Sequence, residues 1–228
     1  TNYFRSPLDI SLHLSGTFGE LRNNHFHAGV DIKTKRRTGF PVYATADGYV
    51  SRIKVAIWGY GKVIYISHPN GYTSVYGHLQ QFKGELKEYV EKAQYRNKSF
   101  KVQQFPAKNL IKVKKGDVIA LSGNTGGSGG PHLHFEIRST ASEVTINPLL
   151  FGLDIKDKRS PKVKEVYIRQ VNVAYKKVMG YYPFRVFEKR ETLNGKTVFV
   201  QGGTYAIAAV LKDQFLNTTE NLGLNYMK

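Results

Sequence analysis

The chain has 228 residues, of which 41% are hydrophobic and 13% aromatic, enough to build a core and weighted toward β structure rather than disorder. There are no cysteines, which excludes disulfides, thiolate metal sites and a cysteine nucleophile. Thirty-four basic against 17 acidic residues give a net charge of +17, a field that favours anionic partners such as nucleic acid, anionic lipid or acidic cell-wall polymer.

Short β-type runs occupy the first 150 or so residues. Val42–Ala46, Gly48–Val55, Lys62–Ser67 and Tyr72–Tyr76 are rich in Val, Ile, Tyr and Thr, with turn residues between them. Asn70-Gly71, set between two alternating runs, predicts a hairpin. Gly84–Asn97 departs from this pattern: Leu86, Tyr89, Val90 and Ala93 fall at helical spacing among charged residues, which predicts a short amphipathic helix. The stretch Lys83–Lys115 carries ten basic and three acidic residues and reads as an excursion from the sheet. Val118–Ser122 and Leu133–Arg138 are two further strands.

A charged stretch ending in Pro161 marks a boundary at 154–161. Beyond it, Val163–Val171, Phe184–Lys189, Lys196–Val200 and Tyr205–Leu211 resume the strand pattern, with Asn194-Gly195 as a hairpin turn. The expected organisation is a mainly β protein with two domains. An antiparallel β-sheet core spans 1–155 and carries a helical insertion at about 83–112. Part of an immunoglobulin-like sandwich follows at 160–228, short of the ~100 residues usual for that fold and so expected to continue past Lys228. No apolar run approaches the ~20 residues needed to span a bilayer, and Thr1–Ser15 does not read as a signal peptide.

Two histidine motifs carry the chemistry: His25-Phe26-His27-Ala28-Gly29-Val30-Asp31, and Gly130-Pro131-His132-Leu133-His134-Phe135-Glu136. Imidazole and carboxylate both suit zinc at about 2.0–2.2 Å. On a strand, His132 and His134 face one side. His27 and Asp31 would lie about 13 Å apart on a straight strand, so a bend at Gly29 is needed to bring them together. The HExxH helix of another zinc-peptidase class is absent.

The blocks His27–Asp31 (HAGVD), Tyr76–Leu79 (YGHL) and Gly123–Arg138 (GNTGGSGGPHLHFEIR) resemble the lysostaphin/LytM-type zinc metallopeptidases. So do Pro41–Val50 and Val113–Leu121, with all the blocks in the right order over about 17–148. The resemblance implies one Zn²⁺ per chain, held by His27, Asp31 and His134, with His78 and His132 as catalytic histidines. It further implies a zinc endopeptidase that hydrolyses the peptide cross-links of bacterial peptidoglycan. Such an enzyme would be exported to the cell envelope, periplasmic or extracellular, with its signal peptide not in this chain. Peptidoglycan peptides are the expected partner, and the basic surface adds anionic envelope polymers.

His132 is expected to deprotonate water, and His78 to stabilise the oxyanion or protonate the leaving amine; sequence leaves these roles interchangeable. Glu136 faces the same side as His134, either as partner to a ligand histidine or as a surface charge. Gly123–Gly130 lacks the phosphate-loop pattern and is expected to form a wall beside an extended peptide. The segment Phe82–Leu110 is longer than this family usually has there. Lys83–Lys115 is expected to form one wall of the substrate groove. His68, before Pro69-Asn70-Gly71, reads as a turn residue, and His25 as solvent-facing.

Two rival classes were weighed. A non-catalytic regulator of other wall hydrolases would have lost metal ligands, whereas here the set is complete. A nucleic-acid binder rests on charge alone and lacks a basic-aromatic motif, so nucleic acid is not an expected partner.

Overall fold

The computed structural model describes residues 3–22, 25–155, 162–170 and 205–212. The chain divides into two units, one containing Thr1–Asp157 and the other Lys158–Leu222. In the first unit the elements run β1 (Leu14–Gly16), β2 (Val30–Lys33), β3 (Pro41–Tyr43), β4 (Gly48–Val55), β5 (Lys62–Ser67), β6 (Tyr72–Gly77), β7 (Gln81–Phe82) and α1 (Gly84–Asn97). They continue with β8 (Val102–Gln104), β9 (Lys112–Val113), β10 (Val118–Leu121), β11 (His132–Ser139) and β12 (Thr145–Ile146).

Among the described residues, nine strands form one antiparallel sheet in the order β1-β2-β11-β6-β5-β4-β8, with β12 beside β11 and β9 beside β4. A second sheet of three strands has the order β3-β10-β7. Period-two alternation decides which face of the large sheet is dry. Phe135, Tyr76, Ile64 and Ile53 are successive cross-strand partners from β11 to β4, and all four are buried in the core. The adjacent row along each strand therefore points away from that core. The β5–β6 hairpin turns at Asn70-Gly71 as expected, with Gly71 at φ +82°.

A 14-residue helix is marginal in isolation. Here Leu86, Val90 and Ala93 are buried in the core and Tyr89 packs partly against it, so tertiary burial holds α1 in place. Each large apolar side chain contributes about 1.5–3 kcal/mol. The chain then returns as β8, which pairs with the edge of β4.

In the second unit, β13 (Lys162–Gln170) and β14 (Tyr205–Lys212) pair antiparallel. The expected strands Phe184–Lys189 and Lys196–Val200, the Asn194-Gly195 turn and the terminal Gly223–Lys228 lie outside the described residues, and with them most of the expected sandwich. No helix among the described residues is long and apolar enough to cross a membrane.

Candidate active site

The register of β2 with β11 sets His134 directly opposite Asp31. His27 reaches the same point from the loop before β2. Gly29 permits this, though not through an unusual φ: a Cβ there would sit 2.2 Å from the Phe135 carbonyl oxygen and 2.7 Å from Glu136 Cγ. The glycine is required by the close approach of the loop to β11.

Three donor atoms converge. His27 Nε2 lies 3.0 Å from His134 Nδ1 and 3.1 Å from Asp31 Oδ1, and His134 Nδ1 lies 2.9 Å from that same oxygen. A cation held tetrahedrally at 2.0–2.2 Å needs donors about 3.3–3.6 Å apart. Spreading the triangle by a few tenths of an ångström meets that requirement, and the three residues form a group able to hold a metal ion.

Each donor is fixed from behind. His27 Nδ1 donates to the Thr17 carbonyl at 2.8 Å, which leaves Nε2 as the free lone pair. His134 Nε2 donates to Glu136 Oε1 at 2.8 Å, which leaves Nδ1 free. Arg22 Nη2 holds Asp31 Oδ2 at 2.8 Å, which leaves Oδ1 facing the cluster.

Glu136 is wholly buried, at 0% exposure. An unpaired carboxylate there would cost several kcal/mol, but it accepts from His134, Arg138 Nε at 2.6 Å and Tyr60 Oη at 2.5 Å. It is thus the partner of a ligand-type histidine rather than a surface charge. Burial pushes its pKa up, yet the bonds from His134 and Arg138 outweigh that and bring it down to about 2. Burial likewise works against ionised Asp31, and the imidazoles of His132, His134 and His27 gathered around its Oδ1 hold its carboxyl far below the usual range. Burial alone would depress His134, but Asp31 and Glu136 raise it to about 9, so a cation binding at Nδ1 would displace a proton from it.

His78 and His132 join the same cluster. His78 follows β6 in the left-handed region at φ 56°, a conformation that turns its side chain toward the site. Its Nδ1 donates to the Thr125 carbonyl at 2.7 Å. His132 Nδ1 donates to the Gly130 carbonyl at 2.8 Å, and its Nε2 lies 3.4 Å from Asp31 Oδ1. The two ring centroids are 4.6 Å apart, and in the neutral tautomer that the Nδ1 bonds select, each Nε2 carries the lone pair. Burial, with the neighbouring His132, lowers the His78 pKa to about 4.

All five expected site residues therefore meet at one place. Tyr60 also belongs to the cluster, although the Gly59-Tyr60-Gly61 sequence that carries it signals only a turn. Its ring stacks on His134 with centroids 4.9 Å apart, and burial and the Glu136 charge raise its hydroxyl pKa. Gly61 and Gly126, both with positive φ, bring this turn against the glycine-rich loop so closely that a Cβ on Gly126 would sit 2.2 Å from the Gly59 carbonyl oxygen. Arg22 and the carbonyls of Thr17, Thr125 and Gly130 likewise act from a distance in sequence or through the backbone, and leave no local motif.

The cluster lies in a cleft of about 970 Å³ lined also by Trp58, Tyr60, Tyr65 and Gly127–Gly129. The glycine-rich loop is thus a wall, as expected. Lys83–Lys115 is not: none of the residues lining the cleft comes from it, because α1 is occupied in covering the core. His68 opens the turn as expected, its carbonyl accepting from the Gly71 N–H at 3.2 Å, but its side chain does not face solvent. It is buried, with Nδ1 donating to the Asp47 carbonyl and Nε2 2.8 Å from Ser74 Oγ. His25 is exposed.

This β-sheet cleft, with its three converging donors, is accompanied by a match of residues 25–98 and 94–148 to the model of peptidase family M23, and the chain belongs to that family. It is 34% identical over 161 residues to an uncharacterized metalloprotease of Haemophilus influenzae, covering 66% of this chain and 27% of the relative. It is 29% identical over 185 residues to the peptidoglycan DD-endopeptidase ShyC of Vibrio cholerae, covering 78% and 36%. The chain therefore spans between a quarter and two-fifths of the length of these curated relatives. Among solved structures, a zinc containing peptidase from Vibrio cholerae is similar at a TM-score of 0.48 and 25% identity, covering 68% of this chain and 41% of that one.

Proposed function

We propose that this chain is a zinc-dependent endopeptidase that hydrolyses peptide cross-links of bacterial peptidoglycan in the cell envelope. The observation that carries this reading is the convergence of His27 Nε2, Asp31 Oδ1 and His134 Nδ1, each with its other polar atom held by a separate partner. Three nitrogen and oxygen donors leave a fourth tetrahedral position for water or substrate, as in catalytic rather than structural zinc sites. Membership of a peptidase family and a relative named as a peptidoglycan DD-endopeptidase support the reaction and make the D,D cross-link the first bond to test.

When bound, zinc supplies Lewis-acid chemistry: it acidifies water and polarises the scissile carbonyl. His132, with Nε2 beside the donor cluster, takes the proton from the attacking water. His78 is locked with its proton on Nδ1, so its Nε2 becomes a donor only after accepting a proton. That suits it to receive the proton that His132 takes from water, the two rings being 4.6 Å apart, and to pass it to the leaving amine rather than to serve as a ready-made oxyanion hole. Tyr60 and Glu136 keep the His134 ring in one orientation. The excess of basic residues concentrates the protein on anionic envelope polymers.

The test is digestion of purified peptidoglycan of several chemotypes by zinc-loaded protein, with the products identified by mass spectrometry. New amino termini at a peptide cross-link support the reading. Intact cross-links in every chemotype, with zinc demonstrably bound, would overturn it.

A further inference from the structure

The open face of the large sheet holds a second line of residues that the chemistry above does not use. Glu136 on β11 pairs with Val75 on β6, Val75 with Tyr65 on β5, and Tyr65 with Arg52 on β4. Lys54 is two residues along β4 from Arg52 and so shares its face. Arg52, Lys54, Tyr65 and Arg138 all line the cleft that holds the metal-type cluster. Three strand spacings separate β11 from β4, so Arg52 lies about 14 Å along the floor from the line of His134 and Glu136.

The cleft's cations fall into two groups. Arg22 is committed to Asp31 and Glu20, and Arg138 to Glu136 and Glu143. Among the described residues, no ion pair joins Arg52 or Lys54 to an acid. Among the described residues the one hydrogen bond of Arg52 runs from Nη2 to Gln103 Oε1, and its Nε is buried without an acceptor. Its guanidinium is nonetheless held in place, 4.8 Å from the Tyr65 ring centroid and 5.6 Å from that of Phe105. A guanidinium stacked between rings keeps its edge donors available for a carboxylate. Gln103 and Phe105 belong to the segment that returns from α1. The insertion thus stands behind Arg52 instead of forming a wall.

We infer that Arg52, assisted by Lys54, forms an anion subsite that binds a free carboxylate on the cross-linked peptide about four residues from the bond cut. The spacing follows from ~3.3 Å per extended residue over about 14 Å. This rests on the proposed peptidase reading and adds a substrate preference to it: peptides with free carboxylates over their amidated counterparts.

Trp58 makes the subsite measurable. It is the chain's one tryptophan, lines the cleft and is 79% exposed, so its fluorescence reports cleft occupancy. Two synthetic cross-linked peptides, identical except for free carboxylates or carboxamides, would be titrated into the zinc-loaded His132→Ala chain, in which turnover is slow enough for binding to be read first. The acid peptide is expected to bind about 10–100-fold more tightly, the range for a hydrogen bond to a charged group. Added salt should erode the difference. Arg52→Met, which keeps the stem over Tyr65, should bring the ratio close to one, and Lys54→Met should lower it less. In the otherwise unmodified chain, Arg52→Met should raise KM for the acid peptide and leave kcat in place, the signature of a contact made equally in ground and transition states. Zinc content and the far-ultraviolet circular dichroism spectrum verify that the variants are folded.

Equal affinity for both peptides would overturn the inference. So would a preference that survives Arg52→Met, since it would then belong to the metal centre. If the titration discriminates but the otherwise unmodified protein cleaves neither peptide, the anion subsite stands and the peptidase reading falls. If both peptides are bound and cleaved equally, the peptidase reading stands and the subsite falls.

Discussion

Two buried histidine sites in the first unit differ in what their second nitrogen meets. His68 has both ring nitrogens matched to protein groups, the Asp47 carbonyl and Ser74 Oγ, and a chain of hydroxyls runs on from Ser74 to Tyr76 and Thr45. His27 and His134 each have one nitrogen matched to a protein acceptor, while the other points at two further donors. A closed arrangement ties strands together. An open one, with lone pairs converging, invites a cation. Burial does not separate the two cases, since all three histidines are buried.

Substitutions at the converging donors test the open site most severely. Asp31→Ala or His134→Ala should abolish both zinc binding and hydrolysis, as read by metal analysis and product mass spectrometry. A chain that kept its zinc after losing Asp31 would break the assignment. The proton-carrying pair comes next: His132→Ala or His78→Ala should keep the metal and lose roughly 10²–10⁴ in rate. If His132→Ala lost zinc and His134→Ala retained it, the two histidines would have exchanged roles.

Glu136→Gln is a milder change, because it weakens the hold on His134 without removing a ligand. About a 10–100-fold loss of zinc affinity is expected, measured by competition with a chelator. Affinity equal to that of the unmodified chain would mean that Glu136 serves the sheet alone.

The closed site should show no effect on metal at all. His68→Leu leaves the Asp47 carbonyl unmatched, strips one of the two partners of Ser74 Oγ and should cost about 1–3 kcal/mol at pH 8, with zinc content unaltered. Burial holds the His68 pKa below its ordinary 6.5. The unfolded chain therefore gains a proton near pH 6.5 that the folded chain resists. The stabilising contribution of neutral His68 is complete above that pH and is lost as pH falls toward the folded-state value. Denaturant melts of the unmodified chain should lose stability through this acidic window, and His68→Leu should flatten that part of the profile. A slope that His68→Leu leaves in place would assign it to another group.

Much of this was legible in the sequence because it is written locally. Gly84–Asn97 shows its helix through apolar spacing, and β4 and β5 begin and end where Val, Ile and Tyr alternate with turn residues on either side. His132 and His134 share a face because strand geometry demands it. The HAGVD, YGHL and HLHFE blocks contain all five residues that the fold brings together. What sequence could not supply was the set of partners behind them. Tyr60 looked like a turn residue, and only the backbone approach of Gly126 to Gly59 explains why that turn delivers a ring onto His134. Gln103 and Phe105 looked like part of a groove wall, and only the pairing of β8 with β4 shows them supporting Arg52.

The sequence by itself therefore determined the residue types of the site, the strands that present them and the helix that departs from them. Period, turn chemistry and motif spacing act over a few residues. Tertiary structure alone decided which histidine is closed and which is open, and which cations are neutralised. Those outcomes depend on pairings between residues as far apart as His27 and His134, or Tyr60 and Glu136, and only the sheet order and register bring such residues within hydrogen-bonding distance.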